Sequence, residues 1–276
     1  MKAIEVRDDL TPAEFIGTYL KNNTPVVLKD GAPYWKERWT PESLKKKYGT
    51  HPVLVESNEK YIPTRTKTLV PLADLIDTVQ KNSLAYRFRS MAFLSQLPDL
   101  QEEFRRNNHF SPYFKGYSEF RHQFWITPKG NATHLHHDSF FDNLNIQIFG
   151  RKHFVLIPPS AYSRLYTRFF WESPIDPLCP DPKKYPRFQG VELYEANTEA
   201  GDIMFIPQLW WHFVTTVDLS INLNTWAKSP YPAMREISSV MPLVPRTILR
   251  ASYNRDRQLD GFGRKLYTFY ARVFSR

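Results

Sequence analysis

Residues 133–150 read THLHHDSFFDNLNIQIFG, and two patterns meet in them. The second half alternates as a β-strand does: Asn143, Asn145, Gln147 and Phe149 share one face and Leu144, Ile146 and Ile148 the other, because successive strand side chains point to opposite sides. SINLNTW (220–226) repeats the pattern, with Ser220, Asn222, Asn224 and Trp226 set against Ile221 and Leu223. On the plainest account each strand turns its amides to water. The first half argues for a lined pocket instead, since it gathers His134, His136 and His137 with Asp138 and Asp142 in a chain that has only 8 histidines.

Working outward, the chain from about residue 120 is a series of short β runs: FRHQFWIT, NLNIQIFG, KHFVLIPP, VELYEA, GDIMFIP, WWHFVTTV and SINLNTWAK, punctuated by Gly, Pro, Asp and Ser. Such spacing predicts an antiparallel sandwich or barrel. The prolines clustered from Pro174 to Pro186 predict a helix and then a long ordered loop between 160 and 190. Before residue 120 the elements are mixed. Thr11-Pro12-Ala13-Glu14 is a capping box with proline at the first helical position, Thr40-Pro41-Glu42 opens a second helix that Gly49 ends, and PLADLIDTVQKN (71–82) is a third. PVVLKD (25–30) and HPVLVE (51–56) are short strands between them. The division expected is an N-terminal layer of helices and strands over 1–119, a β core over 120–228 and a basic helical segment over 229–276, all one structural unit of mainly β class with flanking helices.

At 276 residues such a unit buries roughly three quarters of its unfolded surface. A hydrophobic content of 42% with 15% aromatic residues describes a folded protein, not a disordered one. Cys179, the single cysteine, cannot form an internal disulfide, and MKAIEVRDDLTPAEF lacks the apolar run of a secretion signal, so a reducing, cytoplasmic setting is expected. The longest apolar stretch, MFIPQLWWHFV (204–214), is far shorter than the ~20 residues of a membrane span.

The histidine cluster has ligand chemistry. His136 and Asp138 lie two apart, so on a strand they project to one side while His137 points away. His212, in the aromatic stretch GDIMFIPQLWWHFV, is the candidate third ligand. Two imidazoles and a carboxylate on one face leave three positions of an octahedral ion open, the arrangement of non-haem Fe(II) oxygenases. Asp142 competes with Asp138 as the carboxylate. His134 shares the parity of His136 and lines the mouth, whereas His109, His122 and His153 read as structural or surface groups.

Here the sequence resembles a known family. GNATHLHHD (130–138), NLNIQIFGRKHFVLIPP (143–159), AGDIMFIPQLWWH (200–212) and NTW (224–226) are similar, in order and separation, to the jumonji-C and cupin-like Fe(II) and 2-oxoglutarate dependent oxygenases. The resemblance implies a double-stranded β-helix (jelly-roll) core, a metal triad of His136, Asp138 and His212, and 2-oxoglutarate as cosubstrate. Its far carboxylate would pair with Lys152, in a position the family places after the fourth core strand, with Arg151 facing outward. Thr133 and Asn143 match positions that contact the cosubstrate, and Asn224 matches an amide near the iron. Asn145, Gln147, Trp226 and His134 would line the pocket. The implied reaction consumes dioxygen, releases carbon dioxide and succinate, and hydroxylates a substrate carbon. Two departures stand out: one extra residue lies between Asp138 and Asn143, and the arginine that other such oxygenases carry ten residues after the second histidine is Asn222 here.

Charge is uneven. Of the net +9, the segment from residue 246 holds +6, with eight basic residues against Asp256 and Asp260. Leu266, Phe269, Tyr270, Val273 and Phe274 fall at helical spacing, with Arg264, Lys265 and Arg272 around them. Three readings of this tail stay open: packing on the barrel or on a second subunit as a homodimer; peripheral contact with an anionic membrane surface at its inner face, next to a glycolipid sugar such as Kdo; and RNA binding, as in a tRNA-modifying branch of the family. The substrate expected is therefore anionic or macromolecular, a protein side chain and tRNA included. A non-catalytic cupin-like binding module and a metal-dependent enzyme that does not use 2-oxoglutarate are the alternatives.

Overall fold

The computed structural model describes residues 1–57, 67–81, 86–90, 93–107, 111–167 and 170–240. Eight strands form the core: β7 (Ser118–Thr127), β8 (Ala132–His136), β9 (Asp142–Phe149), β10 (Lys152–Ile157), β11 (Tyr194–Thr198), β12 (Ile203–Ile206), β13 (Trp211–Thr216) and β14 (Ser220–Lys228). They follow the shorter β1 (Lys2–Ala3), β2 (Val6–Arg7), β3 (Val26–Leu28), β4 (Pro52–Ser57), β5 (Lys67–Pro71) and β6 (Tyr86–Ser90). One sheet has the order β1-β11-β10-β13-β8 and the other β2-β3-β12-β9-β14-β7-β6-β4-β5. From β7 to β14 the chain changes sheet at every connection except β10–β11. That winding is the jelly roll, so the core is the expected double-stranded β-helix.

Burial explains why the amide faces exist. Leu144, Ile146, Ile148, Ile221 and Leu223 are buried in one cluster with Trp35, Trp39, Leu72, Phe93 and Phe104 of the N-terminal layer. Asn143, Asn145, Gln147, Asn222 and Asn224 are buried too, on the opposite face and inside the barrel. The solvated-face account of these strands is thereby excluded. A fully buried Leu or Ile contributes ~1.5–3 kcal/mol, while a buried amide costs unless hydrogen-bonded, so the aliphatic face carries the stability and the amide face needs partners. On the other sheet Val155, Ile157, Trp211 and Phe213 pack outward under the excursion from Pro159 to Leu193.

Local signals mostly hold. Thr11 Oγ1 accepts from Glu14 N at 3.2 Å and Glu14 Oε2 from Thr11 N at 3.0 Å, closing the capping box, but only Pro12–Glu14 is α-helical before wider turns over Phe15–Leu20. Thr40 caps Pro41–Tyr48 and Gly49 follows it. The third helix spans Leu72–Gln80. Two readings need correction. The helix expected after residue 160 is a short 3-10 helix of six residues, Pro159–Arg164, with prolines at both 158 and 159. The strand expected at 191–196 runs Tyr194–Thr198, because its register is set by β10, where Lys152 stands opposite Thr198 and Leu156 opposite Tyr194.

Gly150 makes the β9–β10 turn possible. Its φ is +70°, and a Cβ there would lie 1.9 Å from the Leu219 carbonyl oxygen. Only glycine fits, and the turn delivers Lys152 to the barrel two residues later. Among the described residues no helix is long and apolar enough to cross a membrane. The tail readings, with Arg264, Lys265 and Arg272, lie outside the described residues.

Candidate metal centre

The three expected ligands meet at one end of the barrel. One ligand atom from each of His136, Asp138 and His212 lies within 4.8 Å of the others. His212 Nε2 is 3.5 Å from Asp138 Oδ2, His136 Nε2 is 3.9 Å from Asp138 Oδ1, and the two imidazole rings stand 4.2 Å apart. Each imidazole is turned by a backbone carbonyl two residues upstream: His136 Nδ1 bonds His134 O at 2.8 Å, and His212 Nδ1 bonds Trp210 O at 3.1 Å. Both Nε2 atoms are thereby presented to the carboxylate, as ligand histidines are in metal sites.

Strand alternation is not the reason that His136 and Asp138 meet. β8 ends at His136, and Asp138 lies in the following turn, where Ser139 has φ +56°. His136 is opposite His212 in the sheet, so two ligands come from neighbouring strands and the third folds over them. His137 points away, its Nε2 2.9 Å from Phe170 O and its Nδ1 accepting from Ser139 N at 3.0 Å. A register shift in β8 puts Thr133 opposite Val214, and partners across an antiparallel pair share a face, so Thr133 looks into the barrel despite its opposite parity to His136.

Electrostatics suit a cation. Burial and the neighbouring His212 push the His136 imidazole well down, holding it neutral as a ligand must be. Burial works to raise the Asp138 carboxyl, but His212 and His136 outweigh it and keep the group below its usual value. Asn143 Nδ2 donates to Asp138 Oδ2 at 2.8 Å, so this residue, expected at the cosubstrate, orients a ligand. Two imidazole nitrogens facing a carboxylate are a donor set that Fe(II), Zn(II) or Co(II) accepts.

Deeper in the barrel Lys152 is 6% exposed. It opens β10, the fourth core strand, instead of following it, which corrects the expected position. Its ammonium donates to Asn222 Oδ1 and lies 5.9 Å from the centre of the Trp125 ring. Burial pushes its pKa down to about 7. Asn222 Nδ2 donates in turn to Asn224 Oδ1 at 2.6 Å, and Asn145 Nδ2 to the same oxygen at 3.1 Å. Gln147 Nε2 donates to Ser220 Oγ at 2.8 Å, and its Oε1 is buried without a hydrogen-bond partner. Asn143 Oδ1 is a second such orphan. Two unsatisfied acceptors inside the barrel fit a site that receives a polar guest. Arg151 faces outward on Asp218, 2.6 Å away.

At the mouth His134 Nε2 is 3.5 Å from Glu172 Oε1, and His136 pairs with Glu172 through the backbone. Glu172 was not legible, since it sits in the irregular excursion where no periodicity marks it. Trp226 is half-buried next to Asp138. His122 bonds Thr225 Oγ1 at 3.0 Å and His153 pairs with Glu195 at 3.2 Å, both away from the triad, while His109 falls outside the described residues. Asp142, the rival carboxylate, is buried at the start of β9 on Tyr117 and Gln208 and is not part of the triad.

The sequence matches the cupin-like domain family over residues 12–231. The chain belongs to that family. This cupin-like chain is 27% identical over 218 residues to lysine-specific demethylase 8 of Xenopus tropicalis, covering 75% of this chain and 49% of that protein. It is 32% identical over 167 residues to human tRNA wybutosine-synthesizing protein 5, covering 59% and 53%. The chain thus spans about half the length of these relatives. The X-ray structure of E. coli ycfD superposes with a TM-score of 0.52 at 17% identity, over 92% of this chain and 60% of that one, a likeness of fold. The resemblance to the jumonji-C and cupin-like group read from four motifs is therefore borne out.

Proposed function

We propose that this chain is an Fe(II) and 2-oxoglutarate dependent oxygenase that hydroxylates a carbon of a macromolecular substrate. The observation that carries the reading is the juxtaposition of His136, Asp138 and His212 at the barrel mouth with the buried ammonium of Lys152 below them. Iron(II) with 2-oxoglutarate supplies the oxygen chemistry that ends in carbon dioxide, succinate and an oxidised carbon. The protein's own residues do the rest. His136 and His212 would offer Nε2, and Asp138 a carboxylate oxygen, to one ion, a donor set that suits Fe(II). Lys152 holds the far carboxylate, and the amides of Asn222, Asn224 and Asn145 fix its position through the hydrogen-bonded chain between them. Asn143 keeps Asp138 turned toward the two imidazoles. Trp226 stands half-buried beside Asp138 at the mouth, and the His134–Glu172 pair gives it a polar edge.

A macromolecular substrate is supported by the relatives, one named for lysine demethylation and one for tRNA modification. The decisive experiment is metal-dependent succinate release from 2-oxoglutarate, with and without peptide and RNA fractions. Equal release by the parent and by His136→Ala would refute the assigned triad, and binding of a partner with no 2-oxoglutarate decarboxylation under air would favour a binding module.

A further inference from the structure

We propose that Asp142 is a positioning residue that sets the aim of His212 by clamping the turn in front of β13. The proposal rests on the reading of the triad as a metal site. Asp142 is 1% exposed and opens β9, four residues after Asp138. Its Oδ1 accepts from Gln208 N at 2.9 Å, and its Oδ2 accepts from Tyr117 Oη at 2.7 Å. Gln208 lies in the turn from β12 to β13, and its backbone N–H, its carbonyl and its side-chain oxygen are all held. Asn23 Nδ2 donates to its carbonyl at 3.1 Å, and Ala233 N donates to its Oε1 at 3.3 Å.

The clamp reaches the ligands by two short routes. Along the chain, Trp210 follows Gln208 by two residues, and its carbonyl bonds His212 Nδ1. Across the site, Leu209 N donates to Ser139 O at 3.0 Å, tying this turn to the one that carries Asp138. Both residues of that tie are left-handed, Leu209 at φ +63° and Ser139 at φ +56°. Backbone held in this region by a non-glycine residue persists only where its surroundings fix it, and Asp142 is the buried anchor at the root of the tie. A neutral residue would serve a passive core position better, since burial raises the Asp142 pKa to about 6 and so works against the carboxylate. An acceptor that takes two donors at once is what the turn requires.

The test uses Co(II) as the probe in place of iron, with its absorption bands reporting ligand geometry and a titration giving affinity, and thermal melting reporting the fold. Asp142→Ala is expected to lower Co(II) affinity by ~10–100-fold and to change the band shape, as loss of a ligand's support does. Asp142→Asn is expected to stay near the parent, because its Oδ1 still accepts from Gln208 N. Asn23→Gly, which keeps the left-handed backbone of Asn23 (φ 51°) but releases the Gln208 carbonyl, is expected to weaken Co(II) binding in the same direction. If Asp142→Ala folds and keeps the parent's affinity and bands, the positioning role is overturned. Should Asp142→Ala fail to fold, parent-like Co(II) behaviour in Asn23→Gly overturns it instead. A parent that does not bind Co(II) at all refutes the metal reading itself, which separates the two failures.

Discussion

Replacing Lys152 by methionine separates what burial costs from what the cation does. The side chain is 6% exposed and burial brings its pKa from 10.5 to about 7. At 1.36 kcal/mol per pH unit that is a penalty of about 5 kcal/mol on the charged form. The sign follows from proton counting. Between pH 7 and 10.5 the unfolded chain binds more protons at this position than the folded one, so the penalty shrinks as pH rises through that window and is fully present below pH 7. Lys152→Met is therefore expected to stabilise the protein alone near pH 7, by less than the full penalty because Asn222 Oδ1 loses its donor, at ~1–3 kcal/mol. It should also remove most of the 2-oxoglutarate affinity, since truncating one partner of a buried charge pair costs ~2–5 kcal/mol. In the parent, binding a carboxylate next to Lys152 draws a proton onto it. Above pH 7 affinity should fall about tenfold per pH unit, with proton uptake near one. Calorimetry at pH 6 to 9, in two buffers of different ionisation enthalpy and with Mn(II) as the ion, measures both quantities. Affinity flat across that range, and equal in Lys152→Met, would refute the role of Lys152.

Further outcomes follow from the same geometry. Asn143→Ala removes the donor on Asp138 Oδ2 and should cost ~10–100-fold in metal affinity with little change in thermal stability, read by competition with a chelator. Leu223→Ala, 1% exposed beneath the N-terminal layer, should lose ~2–5 kcal/mol in urea unfolding while the folded fraction keeps its metal affinity. The Asp142 carboxyl, raised to about 6 by burial, binds a proton more readily folded than unfolded, so its contribution to stability should decline as pH rises from 3.8 through 6. Asp142→Asn should abolish that decline, and unfolding at pH 4.5 and 7.5 compares the two.

Strand-borne features were the legible ones. The amides of β9 and β14 alternate strictly, so their faces could be assigned, and the ligand identities followed from residue type and order. Whether those amides meet water or a cavity was settled only by the second layer, because alternation marks two faces without saying which is enclosed. The turn was harder to read. The spacing of Asp138 from His136 suits a strand, whereas β8 stops at His136 and Asp138 sits in the turn that holds the left-handed Ser139. The inward turn of Thr133 was hidden by the register shift in β8, which no residue pattern announces. Asp142 looked like a rival ligand because a carboxylate near histidines has no sequence mark that separates chelation from support. Glu172 comes to His134 from an excursion without strand or long-helix periodicity, so no residue pattern marks its approach.

The two-sided burial of β9 and β14 has a consequence for dissection and for evolution. Cut at residue 120, the jelly roll would keep its entire polar lining yet turn Ile146, Ile148, Ile221 and Leu223 out to water as one oily wall. Such a fragment should precipitate even with every ligand present. The polar lining and its shield are thus inseparable: a substitution at Trp35, Trp39 or Phe104 acts on the barrel's interior from the far side of the wall.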